Sequence, residues 1–320
     1  MNKITLNKID LVKGEFSLKT SVGRLQLDLY QQLLPDTKFL VLTHLTSNNL
    51  HFLPQNTNQQ VSIWLSYEML ALLQKMKRFG LFNSQQQTFR ILPPGYPQPF
   101  GDCFLTAWYN DDSLFCSIAL LIKQEQQKIG YCRQFSLGGL HKKQISRWKK
   151  NFKQAGIQRL LLDPTMTSKQ SNNHLTEDGL LHHWEKQLNR QPKMFTAYFS
   201  PWALPRLERY VSLCQAHRRP LFLSQPFGQL LEWIAPQKYH WSSQQSPAAW
   251  EACRQNNGIW QNSSPQLLTK KNLEWSDPSI NVKTFTGNWC FAGLQPLITT
   301  LTEKAISSWQ QELAAEIYLL

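Results

Sequence analysis

Several familiar signals are missing from this chain of 320 residues. Its six cysteines (Cys103, Cys116, Cys132, Cys214, Cys253 and Cys290) include no C-x-x-C pair. In a chain this long, that argues against a disulfide frame and for reduced, mostly buried thiols in a cytoplasm. Its eight histidines never fall at the H-x-H or H-x3-H spacing of a zinc site. No apolar run nears the ~20 residues that span a bilayer, and residues 1–10 hold no signal-peptide core, so no membrane partner is expected. Internal repeats are absent, and Gln85-Gln86-Gln87 and Gln244-Gln245 are too short to be low-complexity tracts. Acidic side chains are scarce too: 21 Asp+Glu face 34 Lys+Arg, a net charge of +13. That excess suits a polyanionic partner, RNA or DNA, and equally suits simple solubility.

What is present reads as a globular α/β chain. With 42% hydrophobic and 17% charged residues it can bury a core, and its length fits about two domains. Phe16 and Leu18, then Leu25, Leu27 and Leu29, alternate as strands do, with Val22-Gly23 as the turn between them. Residues 66–79 have helical spacing and stop at Gly80; the loop Pro93-Pro94-Gly95-Tyr96-Pro97 follows. Strands are expected near 103–108, 116–123 and 128–133. A basic helix over 145–155 ends at Gly156, a short strand lies at 160–162, and a helix covers 176–189 with Leu180, Leu181 and Trp184 on one face. Composition shifts after about residue 190, where a second unit is expected.

A family resemblance runs through these elements in order. The apolar Phe39-Leu40-Val41-Leu42 leads into Thr43-His44-Leu45-Thr46-Ser47-Asn48-Asn49-Leu50, and Leu53-Pro54 follow. This resembles the T-H-x-H-x-D-H turn of metallo-β-lactamase-fold hydrolases. Leu25-Gln26-Leu27-Asp28 is similar to the early strand ending in an aspartate. Asp111-Asp112 and its surroundings resemble D-H-[SD]-x-x-G-[AS], and Tyr131-Cys132-Arg133-Gln134-Phe135 resembles Y-T-G-D-F. Leu162-Asp163-Pro164-Thr165 is similar to the acidic strand end read E-G-T. Residues 194–209 resemble the first strand and helix of a β-CASP cassette of the ribonuclease J group, and Thr284-Phe285-Thr286-Gly287-Asn288 resembles H-x-S-G-H. The resemblance implies an αββα metallo-β-lactamase sandwich (1–190 and 278–320) with an inserted small α/β β-CASP-like cassette (191–277).

The same alignment removes most of the chemistry. At the positions where the family binds two metals this chain has His44, Thr46, Asn48, Asn49, Asp112, Gln134, Asp163 and Asn288. Neutral amides are poor zinc ligands, so the second metal is lost and only His44 and Asp112 remain as a two-ligand remnant. Without a metal, water keeps its bulk acidity and no hydroxide nucleophile forms. No catalytic residue is assigned and no cofactor is expected. Zinc or manganese enters only in the alternative of a hydrolase rearranged around His44, Asp112 and Asp163 or Asp111.

Each of these residues also has an ordinary structural role. His44 can be a satisfied strand-end histidine, Asp111-Asp112 a solvated turn, and Asp163 a cap before Pro164. His182-His183 point about 100° apart on a helix and cannot readily share one metal. Lys142-Lys143, Arg147-Trp148-Lys149-Lys150 and Lys153 read either as a nucleic-acid surface with Trp148 stacking, or as a helix with Trp148 and Phe152 turned inward. The resemblance places Arg206 and Arg209, with Arg218 and Arg219, beside a substrate channel. Three functions follow: a non-catalytic relative that binds nucleic acid or scaffolds an active paralogue or itself; the single-metal hydrolase; and a protein–protein module using the twelve tryptophans.

Overall fold

The computed structural model describes residues 5–6, 9–12, 15–29, 32–46, 49–50, 53, 61–82, 87–112, 115–163, 176–190, 195–198, 203–219, 221–223, 225–240, 242–243, 259–262, 283–285, 288–292 and 301–319. Its contacts divide the chain into two units. The first comprises residues 1–74, 82–174 and 297–320, and the second 75–81 and 175–296.

The first unit holds two mixed sheets. One runs in chain order through β1 (Thr5–Leu6), β2 (Ile9–Val12), β3 (Glu15–Thr20), β4 (Gly23–Leu27), β5 (Thr37–Val41), β6 (Ser62–Leu65) and β7 (Thr88–Ile91). Its first four strands pair antiparallel and its last four parallel. The second has β8 (Gln98–Phe100), β9 (Cys103–Tyr109), β10 (Ile118–Gln124) and β11 (Gln127–Cys132) antiparallel. It then continues in parallel with β12 (Arg159–Leu162) and β19 (Glu316–Leu319). The alternation read in the sequence does its work here: Phe16, Leu18, Leu25, Leu27 and Leu29 are all buried. Phe16 meets Tyr131 across the two sheets at 5.4 Å between ring centroids. β10 is buried at six of its seven positions, as a strand covered on both faces must be.

Helices close the outer face of the second sheet. α2 (Lys143–Ala155) and α6 (Glu303–Leu313) pack Ile145, Trp148, Phe152, Trp309 and Leu313 against Ala119, Leu121, Leu160 and Leu162. α2 ends where expected, at Gly156 in the left-handed conformation (φ 67°), which a Cβ would disfavour. Gly130 matters for a different reason, because a Cβ there would come within 2.8 Å of the Phe152 ring. The helix read at 66–79 is α1 (Tyr67–Arg78). No helix among the described residues is long and apolar enough to cross a membrane.

The second unit is a six-stranded sheet in the order β15 (Ser242–Ser243), β14 (Leu221–Leu223), β16 (Ile259–Asn262), β13 (Phe195–Tyr198), β18 (Asn288–Ala292) and β17 (Lys283–Phe285). All pairs are parallel except the β17–β18 hairpin. It also carries α3 (Glu177–Arg190), α4 (Leu204–Ala216) and α5 (Gln225–Ile234). α3 belongs to this unit because Glu177 pairs with Arg206 and Trp184 stacks on Tyr210 of α4 at 5.1 Å. Boundaries drawn at 191 and 277 leave α3, β17 and β18 outside it.

Candidate functional site: a polar centre at the strand ends

The carboxyl ends of β4, β5, β11 and β12 meet in the first unit, and the loop after β9 joins them. In layered α/β proteins this is where ligands are bound, because the chain there is free to vary while the sheets hold it rigid. The backbone ties these ends together directly. Asp28 N donates to Val41 O at 2.7 Å, Ile118 N to Thr43 O at 2.8 Å, Asp163 N to Arg133 O at 3.1 Å, and Ser136 N to Asp111 O at 2.6 Å.

Asp28 is the hub of the first-sheet side. It is fully buried and sits in the left-handed region (φ 59°). Its carboxylate accepts from Thr43 N at 2.7 Å, from Thr43 Oγ1 at 2.8 Å and from Tyr131 Oη at 2.7 Å. His44 Nδ1 lies 3.6 Å from Asp28 Oδ1 and 3.1 Å from Thr43 Oγ1. His44 Nε2 is buried with no hydrogen-bond partner among the described residues. His44 is therefore oriented by an acid behind it, an arrangement that metal-binding histidines share with purely structural ones.

Of the other expected ligand positions, Thr46 and Asn49 are engaged by neighbouring backbone. Asn49 Oδ1 accepts from Thr46 N at 2.9 Å and its Nδ2 donates to His44 O at 2.7 Å, while Thr46 Oγ1 accepts from Asn49 N at 3.2 Å. Thr46 and Asn49 thus lock their own turn. Asn48 lies outside the described residues. Gln134 is half-buried, and its backbone oxygen accepts from Asn110 Nδ2 at 2.7 Å. Asn110 in turn accepts from Trp148 Nε1 at 3.1 Å. Asp111 accepts from His141 N, and a Cβ at Gly139 would collide with its carboxylate, so this loop closes tightly over the acid. Asn288 begins β18 in the second unit, with its side chain outside the described residues.

Arg133 is the residue that changes the chemistry. It is buried, and its Nε donates to Asp163 Oδ2 at 2.9 Å, with both side chains at most 7% exposed. Its guanidinium also lies close enough to Tyr131 to favour the phenolate, against the stronger effects of burial and Asp28, which together raise the Tyr131 pKa well above its usual value. A fixed cation therefore stands among the acids at the strand ends. Among the described residues no three His, Cys, Asp or Glu side chains converge, Asp163 is engaged by Arg133, and Asp111 is engaged by the His141 amide.

Burial holds the described thiols protonated. Burial, with Asp112 and Asp28 nearby, drives the Cys132 thiol well above its ordinary pKa, and burial with Glu68 and Asp112 raises Cys116. Burial, with Asp102 nearby, pushes Cys103 up to about 12, and burial pushes Cys214 up to about 12. The sign of the pH effect follows. The unfolded chain releases these thiol protons from about 9.0 upward while the folded chain still holds them. Their contribution to stability is complete below pH ~9 and is lost as pH rises towards ~12. The melting temperature should fall steadily through that range, a trend a thermal-shift series measures; a flat profile would show that the thiols are accessible.

Burial corrects one expectation about the basic residues and decides between two readings of another. Arg206 is 1% exposed and bonded to Glu177, so it faces no channel. Trp148 is fully buried and cannot stack on a base. Lys149 lies over the Trp309 ring at 4.0 Å and pairs with Glu312, which leaves it little freedom to bind phosphate. Arg209 pairs with the exposed Asp178, whereas Lys150 stays exposed on α2.

No protein-family model and no curated protein matches this chain. A solved protein of unknown function from Enterococcus faecalis V583 superposes with a TM-score of 0.63 at 11% identity, over 94% of this chain and 88% of its own. The fold therefore recurs outside this sequence. A metallo-β-lactamase-fold protein from Bacillus subtilis aligns over 46% of this chain and 62% of its own at 12% identity, with a TM-score of 0.34, an overlap too slight to bear on chemistry.

Proposed function

We propose that this chain is a non-hydrolytic relative of the β-CASP metallo-β-lactamase nucleases that takes no metal and binds single-stranded nucleic acid through the basic face of α2. The observation that carries this reading is the Arg133–Asp163 pair: a buried guanidinium supplies, permanently, positive charge at the strand ends. A fixed cation can balance acids, but it cannot acidify a water molecule as a divalent metal does. The binding half rests on α2. Lys142, Lys143, Arg147, Lys150 and Lys153 are exposed and have no carboxylate partner among the described residues. With a net charge of +13 behind them, they suit phosphates.

One experiment addresses both halves. End-labelled single-stranded RNA is titrated with the protein over a salt series, with zinc or manganese added in parallel. The strand should bind, with log affinity falling against log salt by roughly 0.7 per phosphate neutralised, and should remain intact. Metal-dependent cleavage would return the centre to the hydrolases, and absence of binding at low salt would leave the charge as a solubility feature.

A further inference from the structure

Beside the basic helix, and apart from the polar centre, the first unit holds a cavity of about 390 Å³ between the loop at Pro94, the end of β9 and α2. We propose that this cavity binds a nucleotide, its ring against the β9 wall and its phosphate at α2, whether the nucleotide is free or terminates a strand. The volume lies in the range of small-ligand sites, ~300–1,000 Å³.

The two walls differ in chemistry. Trp108 is half-buried and held in place by an edge-to-face contact with Phe152 at 5.7 Å, which gives a rigid aromatic surface. Tyr109 donates its hydroxyl to Glu68 Oε1 at 2.6 Å, so its ring, not its oxygen, is left for a ligand. Burial and that carboxylate keep the phenol protonated. Pro94 extends the apolar side.

Opposite them, Arg147 and Lys150 stand one turn apart on α2, exposed and without a carboxylate partner among the described residues. Asn151, half-buried beside them, offers both an amide donor and an acceptor. Phosphate satisfies the two cations, a planar ring satisfies the aromatic wall, and the amide can meet polar atoms at the ring edge. An uncharged ring would leave the cations unused, and a bare anion would leave the wall unused. A phosphorylated heterocycle uses both.

This inference deepens the nucleic-acid reading but fails separately from it. The full chain is titrated calorimetrically with AMP, UMP and adenosine, and with short RNAs carrying a 5′-phosphate or a 5′-hydroxyl. AMP should bind, and adenosine should bind roughly tenfold or more weakly, because it lacks the charge-assisted contacts. R147Q/K150Q should lose AMP affinity by a similar factor. K19Q/K123Q, which removes the same charge at exposed sites elsewhere in the unit, should retain it. Tighter binding of the 5′-phosphorylated strand than of the 5′-hydroxyl strand would identify a strand end as the ligand; equal binding of the two, with AMP bound, would identify free nucleotide. If neither nucleotide binds, or both double variants weaken AMP equally, the cavity is not the site. Salt-dependent RNA binding that survived that result would leave the proposed function standing without it.

Discussion

Replacing Arg133 with methionine should destabilise the first unit by ~3–5 kcal/mol, because it leaves the Asp163 carboxylate buried without its cation. Both side chains are nearly inaccessible, so water cannot take over the lost charge. Asp163→Asn should be destabilising as well, because it leaves the Arg133 guanidinium buried without its carboxylate, with only an amide oxygen to accept from it. The informative variant is the double, Arg133→Met with Asp163→Leu. Two apolar side chains of comparable size need no compensation, and most of the stability should return. Urea denaturation of the four proteins closes the cycle. If Arg133→Met is as stable as the parent, Arg133 is not balancing charge, and the reading of the centre as a permanently neutralised site falls with it.

Why the sequence shows His44 and Asp112 as site positions but not Arg133 is a matter of what alignment asks. Matching a family pattern asks only which side chains stand at its ligand positions. It is silent on a buried cation such as Arg133, which is no part of the pattern. Arg133 stands where the pattern has a glycine, directly after a strand of buried residues, and an arginine there has only three outcomes: exposure, an acidic partner, or an unfolded chain. Its partner Asp163 lies thirty positions away, and only the parallel pairing of β11 with β12 brings the two strand ends together. The same limit applies to Asn49. The resemblance puts Asn49 at a ligand position facing the cleft, yet its amide is consumed by the His44–Thr46 turn, because a short polar side chain beside a helix start finds backbone partners locally.

The elements themselves were more legible. Period-two spacing exposed β3 and β4, and period-3.6 spacing exposed α1, α2 and α3 to within two residues, since these patterns depend only on which face is buried. Sheet order was not legible. β19 pairs in parallel with β12 although more than 150 residues separate them, and nothing local in Glu316-Ile317-Tyr318-Leu319 names that partner. The basic helix was open to two readings because lysines in water and lysines on phosphate share one pattern. Burial of Trp148 decides the inward face, while Lys150 and Arg147 remain at the surface.

Arg206 provides the sharpest contrast between a basic residue that binds and one that builds. On α4, the buried residues Leu204, Leu207, Tyr210, Val211 and Cys214 mark the inward stripe, and Arg206, four residues before Tyr210, lies on it. Its Nε is 3.2 Å from both carboxylate oxygens of Glu177 and its Nη2 is 2.6 Å from one of them. Removing this fork by Arg206→Met should cost the second unit ~3–5 kcal/mol. Arg206→Lys should not rescue it, because an ammonium cannot reproduce the planar donor geometry. Arg209, one turn on, pairs with an Asp178 side chain that is 85% exposed, and Arg209→Ala should change stability by only ~0–1 kcal/mol. Circular-dichroism melts of the three variants, run alongside RNA titrations at a temperature where each is folded, separate the roles. Any loss of binding in the Arg206 variants should track the unfolded fraction. A folded Arg206→Met protein of parental stability that nevertheless binds RNA more weakly would place this guanidinium on a binding surface after all.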